Sequence, residues 1–486
     1  MDDLYSKLTE YSKSDAYPFH MPGHKRIGFG ENSKENYRDY IDSLFSIDIT
    51  EISDFDNLYE AEGILKEAQD RVASLYGSKR TYFLVNGSTV GILTAISAVA
   101  KGNDTIIVAR NCHKSVFNAA YINKLNLGFL YPDFDNEYGI NGKIDPSGIK
   151  NLINELISEN RKIAAIVVTS PSYDGISLDL AAISKVVHEY DIPLIVDQAH
   201  GAHFGFHKSF PESAVKYADI VIHSVHKTLP APTQTALLHL NGHLVSEDKI
   251  TRFFKIYQTS SPSYVFMAGI DRCYRYISDN RDELFDNLLF VRSIIDEGVK
   301  DLKNISVCPY TEPGKLVITS NKSGLWLFKK LRDEYHLEFE MAASSYVLGI
   351  LTVMDRPDGA RRLVLALRQI DKEIDGSLEI DISDVAKIRP TTIIPYYIAQ
   401  DEQFEYVELN KAIGRIFGDF INLYPPGNPI ALPGELVTSE IIDIISEYND
   451  RGYIVQGIQN NLVKVLVNGE NGLSDGEKLI RKGYDL

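Results

Sequence analysis

Cysteine is scarce in this chain. Cys112, Cys273 and Cys308 are the only three in 486 residues, widely spaced and odd in number. That excludes a disulfide framework and a cysteine-built metal site, and it points to a reducing cytoplasm. Long apolar runs are missing as well: the longest, such as Val90 to Ala100, fall well short of a membrane span. The opening "MDDLYSKLTEYSKSD" is polar and acidic, unlike a signal or transit peptide. Positive charge is in deficit too. Lys and Arg number 50 against 67 Asp and Glu, a net charge of −17. Nucleic acid is therefore not an expected partner, because its phosphates would be repelled. The same excess suits a small cationic ligand, and it equally suits plain solubility.

What is present is an ordinary soluble composition, with 44% apolar and 24% charged residues, in a chain long enough for two or three domains. From Thr81 to about Leu240, short β-rich runs alternate with helical patterns. The expected strands are Tyr82–Val85, Thr105–Val108, Gly128–Tyr131, Ile163–Thr169, Leu194–Asp197, Asp219–His223 and Thr235–Leu240. Between them, stretches such as Pro146–Ser158 and Leu180–Tyr190 have apolar residues at helical spacing. Such alternation predicts an α/β domain around a mostly parallel seven-stranded sheet, with ligands at the C-terminal strand ends. The chain divides into an N-terminal arm (1–50), a large domain (51–300), a smaller α/β domain (301–379) and a C-terminal α+β unit (380–486). A long helical stretch is expected from after Arg272 to about Leu302.

Three strand ends carry polar residues that belong together chemically. In "VNGSTVGILTAISAV" a strand breaks at Asn86-Gly87 and a helix opens at Ser88-Thr89, which makes a phosphate cradle or a simple N-cap. "DIPLIVDQAH" is an apolar strand ending in Asp197, whose buried carboxylate needs a partner. "HSVHKTLPAPTQTA" follows a third strand with Ser224, His226 and Lys227. A lysine there is either a solvated surface residue or a desolvated nucleophile. Taken together, a phosphate cradle, a strand-end aspartate and a strand-end lysine meet the needs of pyridoxal phosphate.

These stretches, with "FHMPGHKR" (19–26), "RNCHKS" (110–115), "VDQAHGAHFGFH" (196–207), "QTSSPSY" (258–264) and "YPPGNP…PGE" (424–435), resemble the prokaryotic ornithine/lysine/arginine decarboxylases. The length is similar to their short form, without the N-terminal wing domain. The resemblance implies the aspartate-aminotransferase-like fold (fold type I), pyridoxal 5'-phosphate as cofactor, and decarboxylation of lysine, arginine or ornithine toward polyamines. It assigns Lys227 as the lysine bonded to the cofactor and Asp197 as partner of the pyridine nitrogen. Ser88 and Thr89, with Ser224 and His226, would hold the phosphate. His113 would stack on the ring, and His200 belongs to the same surround. Thr259 and Ser260 would reach the phosphate of a neighbouring subunit, which makes a homodimer the smallest active unit and leaves larger assemblies open. His226 or Lys227 would return a proton to Cα. The sequence departs from the family pattern at Gln198, where members commonly carry an acid beside the aspartate.

Other readings compete. An aminotransferase or Cβ-lyase of the same fold would clamp the substrate carboxylate with an arginine. Arg361 and Arg362 begin a helix, "ARRLVLALRQI", and read as surface residues. A non-catalytic regulator derived from the enzyme would be expected to have lost Lys227. His200, His203 and His207 invite a metal, but their spacing fits no common ligand pattern, so no metal is expected. His20, His24 and Lys25 either cover the cofactor entrance or pack an interface. Glu435 is a candidate for the distal cation of the substrate, as is Glu340.

Overall fold

The computed structural model describes residues 13–25, 47–52, 54–375, 388–424, 428–450 and 454–467. Much of the expected arm, including Arg26, and the Pro425–Gly427 part of "YPPGNP" lie outside these residues.

The centre is a seven-stranded sheet built of β1 (Arg80–Leu84), β2 (Thr105–Ala109), β3 (Asn126–Leu130), β4 (Ile163–Thr169), β5 (Leu194–Asp197), β6 (Ile220–Ser224) and β7 (Ala236–Leu240). In space they run β1-β7-β6-β5-β4-β2-β3. Only β7 is antiparallel to its neighbours; the other pairings are parallel. Residues such as "AIVV" and "LIV" are apolar without interruption because both sheet faces are covered. Along β4, Val167 joins one core with Ile195 and Ile222, whereas Ile166 and Val168 join the other with Leu194 and Val196. All six parallel strands bring their C-terminal ends to one rim.

Tyr264–Val299 is a single 36-residue helix, interrupted by the non-helical backbone of Asn280. It starts earlier than the sequence suggests because Ser263 caps it, accepting from Phe266 N. Phe285 and Leu288 pack into the large core, and Val291, Ile295 and Val299 into a second one. The seam between the two cores therefore lies inside this helix rather than at its end. The second core is covered by an antiparallel sheet (Ile305–Val307, Lys315–Ser320, Tyr346–Ile350, Met341–Ala342) and by the helices Gly324–Tyr335 and Pro357–Glu373.

The described part of the arm docks on this smaller domain. Tyr17–Phe19 pairs parallel with Leu337–Phe339, and buried Lys25 donates to Pro18 O and Ile350 O beside Asp355. The C-terminal unit has two three-stranded sheets and the helix Ser439–Asp450 around its own core. Phe420 from this unit packs against Phe117 and Tyr396. Among the described residues no helix is long and apolar enough to cross a membrane.

Candidate active site

At the rim formed by the parallel strands lies a cleft of about 660 Å³. Ser88, Thr89, His113, Asp197, His200, His226 and Lys227 all line it. Each arrives there for a local reason. After β1, Gly87 takes φ +78, a conformation that strains any side chain, and turns the strand into helix α1 (Gly87–Val99). Asn86 makes no side-chain cap to that helix; its Oδ1 accepts from Thr259 N at 3.1 Å instead. The first-turn N–H groups beside Ser88 and Thr89 are thus left for an outside acceptor.

His113 caps helix α2 (Lys114–Ile122). Its Nδ1 accepts from Ser115 N at 3.2 Å, so the neutral ring carries its proton on Nε2. Loss of hydration, aided by Lys227 and Lys114 and opposed by Asp197, holds its pKa below the ordinary histidine value. The neighbouring turn Val225–Thr228 orients His226 and Lys227. His226 Nδ1 donates to Thr235 O at 2.9 Å, leaving Nε2 as the free nitrogen. Lys227 Nζ lies 3.1 Å from His200 Nε2, and burial lowers its pKa against the pull of Asp197 and Glu340.

Three groups at the rim lack the partner their burial demands. Asp197 is 4% exposed and accepts from Ala199 N at 3.1 Å, yet among the described residues no cation pairs with it. The hydroxyls of Thr169, which ends β4 and lines the cleft, and of Ser224, which ends β6 fully buried and is not among the lining residues, have no hydrogen bond. A buried carboxylate and buried hydroxyls are costly in that state. A protonated ring nitrogen for Asp197 and phosphate oxygens for the hydroxyls and helix amides would satisfy them, so the residues fit pyridoxal phosphate.

The sequence comparison agrees with this chemistry. Residues 2–347 match the family model described as Orn/Lys/Arg decarboxylase, major domain, and residues 387–471 match that of its C-terminal domain. The chain belongs to the Orn/Lys/Arg decarboxylase family. Arginine decarboxylase of Bacillus subtilis (strain 168) is 31% identical over 484 residues, spanning 95% of this chain and 96% of that one. The uncharacterized protein YaaO of the same organism is 35% identical over 472 residues, 93% of this chain and 95% of its own length. Among solved structures, the lysine decarboxylase LdcF of Francisella novicida superposes with a TM-score of 0.77 at 21% identity, covering 95% of this chain and 80% of that chain. That likeness gives the fold.

Several residues of this family member sit elsewhere than the sequence suggests. Glu435 is 1% exposed and held by Arg110 and Leu432 N, so its charge is already balanced and it does not line the cleft. Gln198 faces away from the cleft: its Oε1 accepts from Ala214 N at 2.9 Å and lies 2.9 Å from His223 Nε2. The missing acid is therefore a change behind the sheet, not beside the cofactor surface. Thr259 and Ser260 are exposed and outside the cleft of their own chain. Arg361 and Arg362 stay on the surface with Asp358 and Asp15. The three histidines of "HGAHFGFH" part company: His200 meets Lys227, His203 meets Glu312 at 3.1 Å, and His207 stacks on Phe285.

The sequence reading missed Thr169, Tyr173, Asn111 and Met21, and also Asn422 and Gln456 of the C-terminal unit, all of which line the cleft. Thr169 carries a signal, since it ends the buried strand β4 as Asp197 ends β5. Asn111 and Tyr173 follow strands β2 and β4 of the same sheet, whereas Met21, Asn422 and Gln456 arrive by packing of the arm and the C-terminal unit. Met21 shows that the arm reaches the cleft wall, and Gly23 N donates to His226 O at 2.7 Å. Tyr173 is fixed by its hydroxyl, which donates to Glu340 Oε1 at 2.6 Å.

Proposed function

We propose that this protein decarboxylates a basic amino acid, lysine, arginine or ornithine, using pyridoxal 5'-phosphate held by Lys227. The observation that carries this reading is the half-buried Lys227 amine, on one rim with an unpaired buried Asp197 and the unpaired hydroxyls of Ser224 and Thr169. When bound, the cofactor supplies an aldehyde carbon for amines and a ring that takes up the electron pair left by departing CO2.

The side chains do the rest. Lys227, with its lowered pKa, would be the amine that holds the cofactor at that carbon. Asp197 holds a proton on the ring nitrogen, and its burial strengthens that interaction. The N-terminus of α1, Ser88, Thr89, Ser224 and Thr169 receive the phosphate. His113, its ring fixed by Ser115, offers a flat face to the cofactor ring. His226 Nε2 and the Lys227 amine are the two groups placed to hold a proton for Cα.

The rival chemistry of an aminotransferase needs a carboxylate clamp, and among the described residues no arginine lines the cleft. Relatives named arginine decarboxylase and lysine decarboxylase support a basic substrate, and the net charge of −17 suits one. The exposed Thr259 and Ser260 are free to serve a second copy, which supports a homodimer with shared sites. The test is CO2 release from arginine, lysine and ornithine by protein loaded with cofactor. Release from one of them, lost in Lys227→Ala, is expected. A visible band of bound cofactor without CO2 from any of the three would sink the decarboxylase reading.

A further inference from the structure

Two lysines share one imidazole in this protein. Lys227 Nζ lies 3.1 Å from His200 Nε2, and Lys315 Nζ lies 2.9 Å from His200 Nδ1. Lys315 opens the small-domain strand Lys315–Ser320 and is fully buried. It also donates to Tyr173 O at 2.9 Å and stands 5.2 Å from the centre of the Tyr173 ring. Its seat depends on Gly175, at φ +99, where a Cβ would come within 2.6 Å of Lys315 Cγ. Nothing in the proposed reaction requires a second buried lysine there.

Counting protons restricts what this trio can be. An ammonium only donates, and a neutral imidazole has one N–H and one lone pair. Burial and the two lysines hold His200 neutral, well below the ordinary histidine value. One lysine can then donate to the lone pair, but the other has to accept the ring N–H, and an ammonium has no lone pair to do so. Both contacts are hydrogen bonds only if one lysine is a neutral amine.

We propose that Lys227 and Lys315 hold one positive charge between them and exchange it through His200, making Lys315 the positioning residue that takes the proton Lys227 gives up. In one state ammonium Lys227 donates to Nε2, and Nδ1–H donates to the neutral Lys315 amine. Transfer of the Lys227 proton to Nε2 and of the Nδ1 proton to Lys315 gives neutral Lys227, the opposite tautomer of His200 and ammonium Lys315. Protons and charge balance, and no outside base is consumed.

Each charged end has compensation. Asp197 and Glu340 face Lys227, whereas Glu312, Glu340 and Asp174 face Lys315; His113 and His226 are the other titratable groups near the ring. Burial lowers both lysines, Lys315 down to about 8. The inference rests on the reading of Lys227 as the cofactor-bearing lysine, because such a lysine attacks only as the neutral amine.

The test follows acylation, which does not depend on that reading. Full-length protein freed of cofactor is treated with acetic anhydride from about pH 6 to 11, and modification of Lys227 is counted by mass spectrometry. An ordinary lysine has its midpoint near ~10.4. Lys227 in the unaltered protein is expected clearly below that. Lys315→Met strands the charge on Lys227 and raises the midpoint by about one unit. Lys315→Arg, always charged and unable to accept, lowers it by about one unit. Opposite shifts from two substitutions at one position mark a shared charge. Shifts of the same sign, or no shift in either, overturn the proposal. So does an ordinary midpoint in the unaltered protein, which decides the matter even if neither variant folds. Capture of pyridoxal 5'-phosphate is measured separately. No capture at any pH would overturn the cofactor reading, while the acylation curves would still judge the lysine pair.

Discussion

Arg110 grips Glu435 with both ends of its guanidinium, Nη1 lying 2.6 Å from Oε1 and Nη2 2.8 Å from Oε2. The pair ties the end of β2 to the C-terminal unit, the same unit that brings Asn422 and Gln456 to the cleft. Glu435 thus helps hold one wall of the site in place rather than meeting a ligand from it.

Replacing Glu435 by alanine is expected to leave a buried guanidinium unpaired, at a cost of about 3–5 kcal/mol. Urea unfolding should register that loss. Turnover should fall by a similar factor for every basic amino acid accepted. A selective loss for one of them would return Glu435 to the role of substrate carboxylate.

Asp197→Asn keeps the shape of the side chain and removes its charge. The variant is expected to load cofactor and to lose at least about 10²-fold in kcat, because the amide cannot hold a proton on the ring nitrogen. Cofactor-free Asp197→Asn should lose little stability, since Asp197 faces the charge on Lys227 without any ion-pair contact that the amide would break. Steady-state kinetics and thermal melts check the two halves. Unchanged kcat would remove Asp197 from the machinery.

Ser224→Ala and Thr169→Val give opposite signs in two measurements. Without cofactor, each deletes a buried hydroxyl that has no partner and should leave stability unchanged or raise it. With cofactor, each should weaken binding about tenfold to hundredfold, the worth of one hydrogen bond to an anion. Equilibrium titration with pyridoxal 5'-phosphate reads the second effect. Equal affinity in both variants would mean that the orphaned hydroxyls do not await a phosphate.

The strands of the central sheet were legible from the sequence for a physical reason. Buried parallel strands are uninterrupted β-branched runs between turn residues, so Ile163–Thr169 and Leu194–Asp197 were placed to the residue. Residues at their C-terminal ends, Asp197 and Lys227 among them, could be grouped because the topology puts those ends on one rim. Lys315 could not be found this way. It looks like any lysine at the start of a strand, and only the packing of the smaller domain onto His200 gives it a task. Glu435 failed for the converse reason: its sequence context shows a rigid turn but not the arginine, 325 residues away, that neutralises it. Gln198 shows a third limit, since alternation along the chain does not say which side of the rim a residue past the strand end will face.

Behind the sheet, His223 Nδ1 lies 3.1 Å from His239 Nε2, and His239 Nδ1 lies 2.8 Å from Thr81 Oγ1. Both rings are fully buried, and burial pushes His239 down to about 3 and His223 well below its ordinary value. A histidine whose pKa is lower folded than unfolded binds its proton first in the unfolded chain. The stability it contributes is therefore complete above the unfolded value of about 6.5 and is lost as pH falls toward the folded one. Each such group adds a slope of about 1.4 kcal/mol per pH unit within that window. His239→Gln, which keeps hydrogen-bonding capacity and cannot titrate, should flatten the decline in urea-unfolding free energy between about pH 6 and 4 by roughly that slope. An unaltered slope would mean that His239 takes up no proton on unfolding. The neutral chain from Gln198 to Thr81 would then have to be held by something other than its burial.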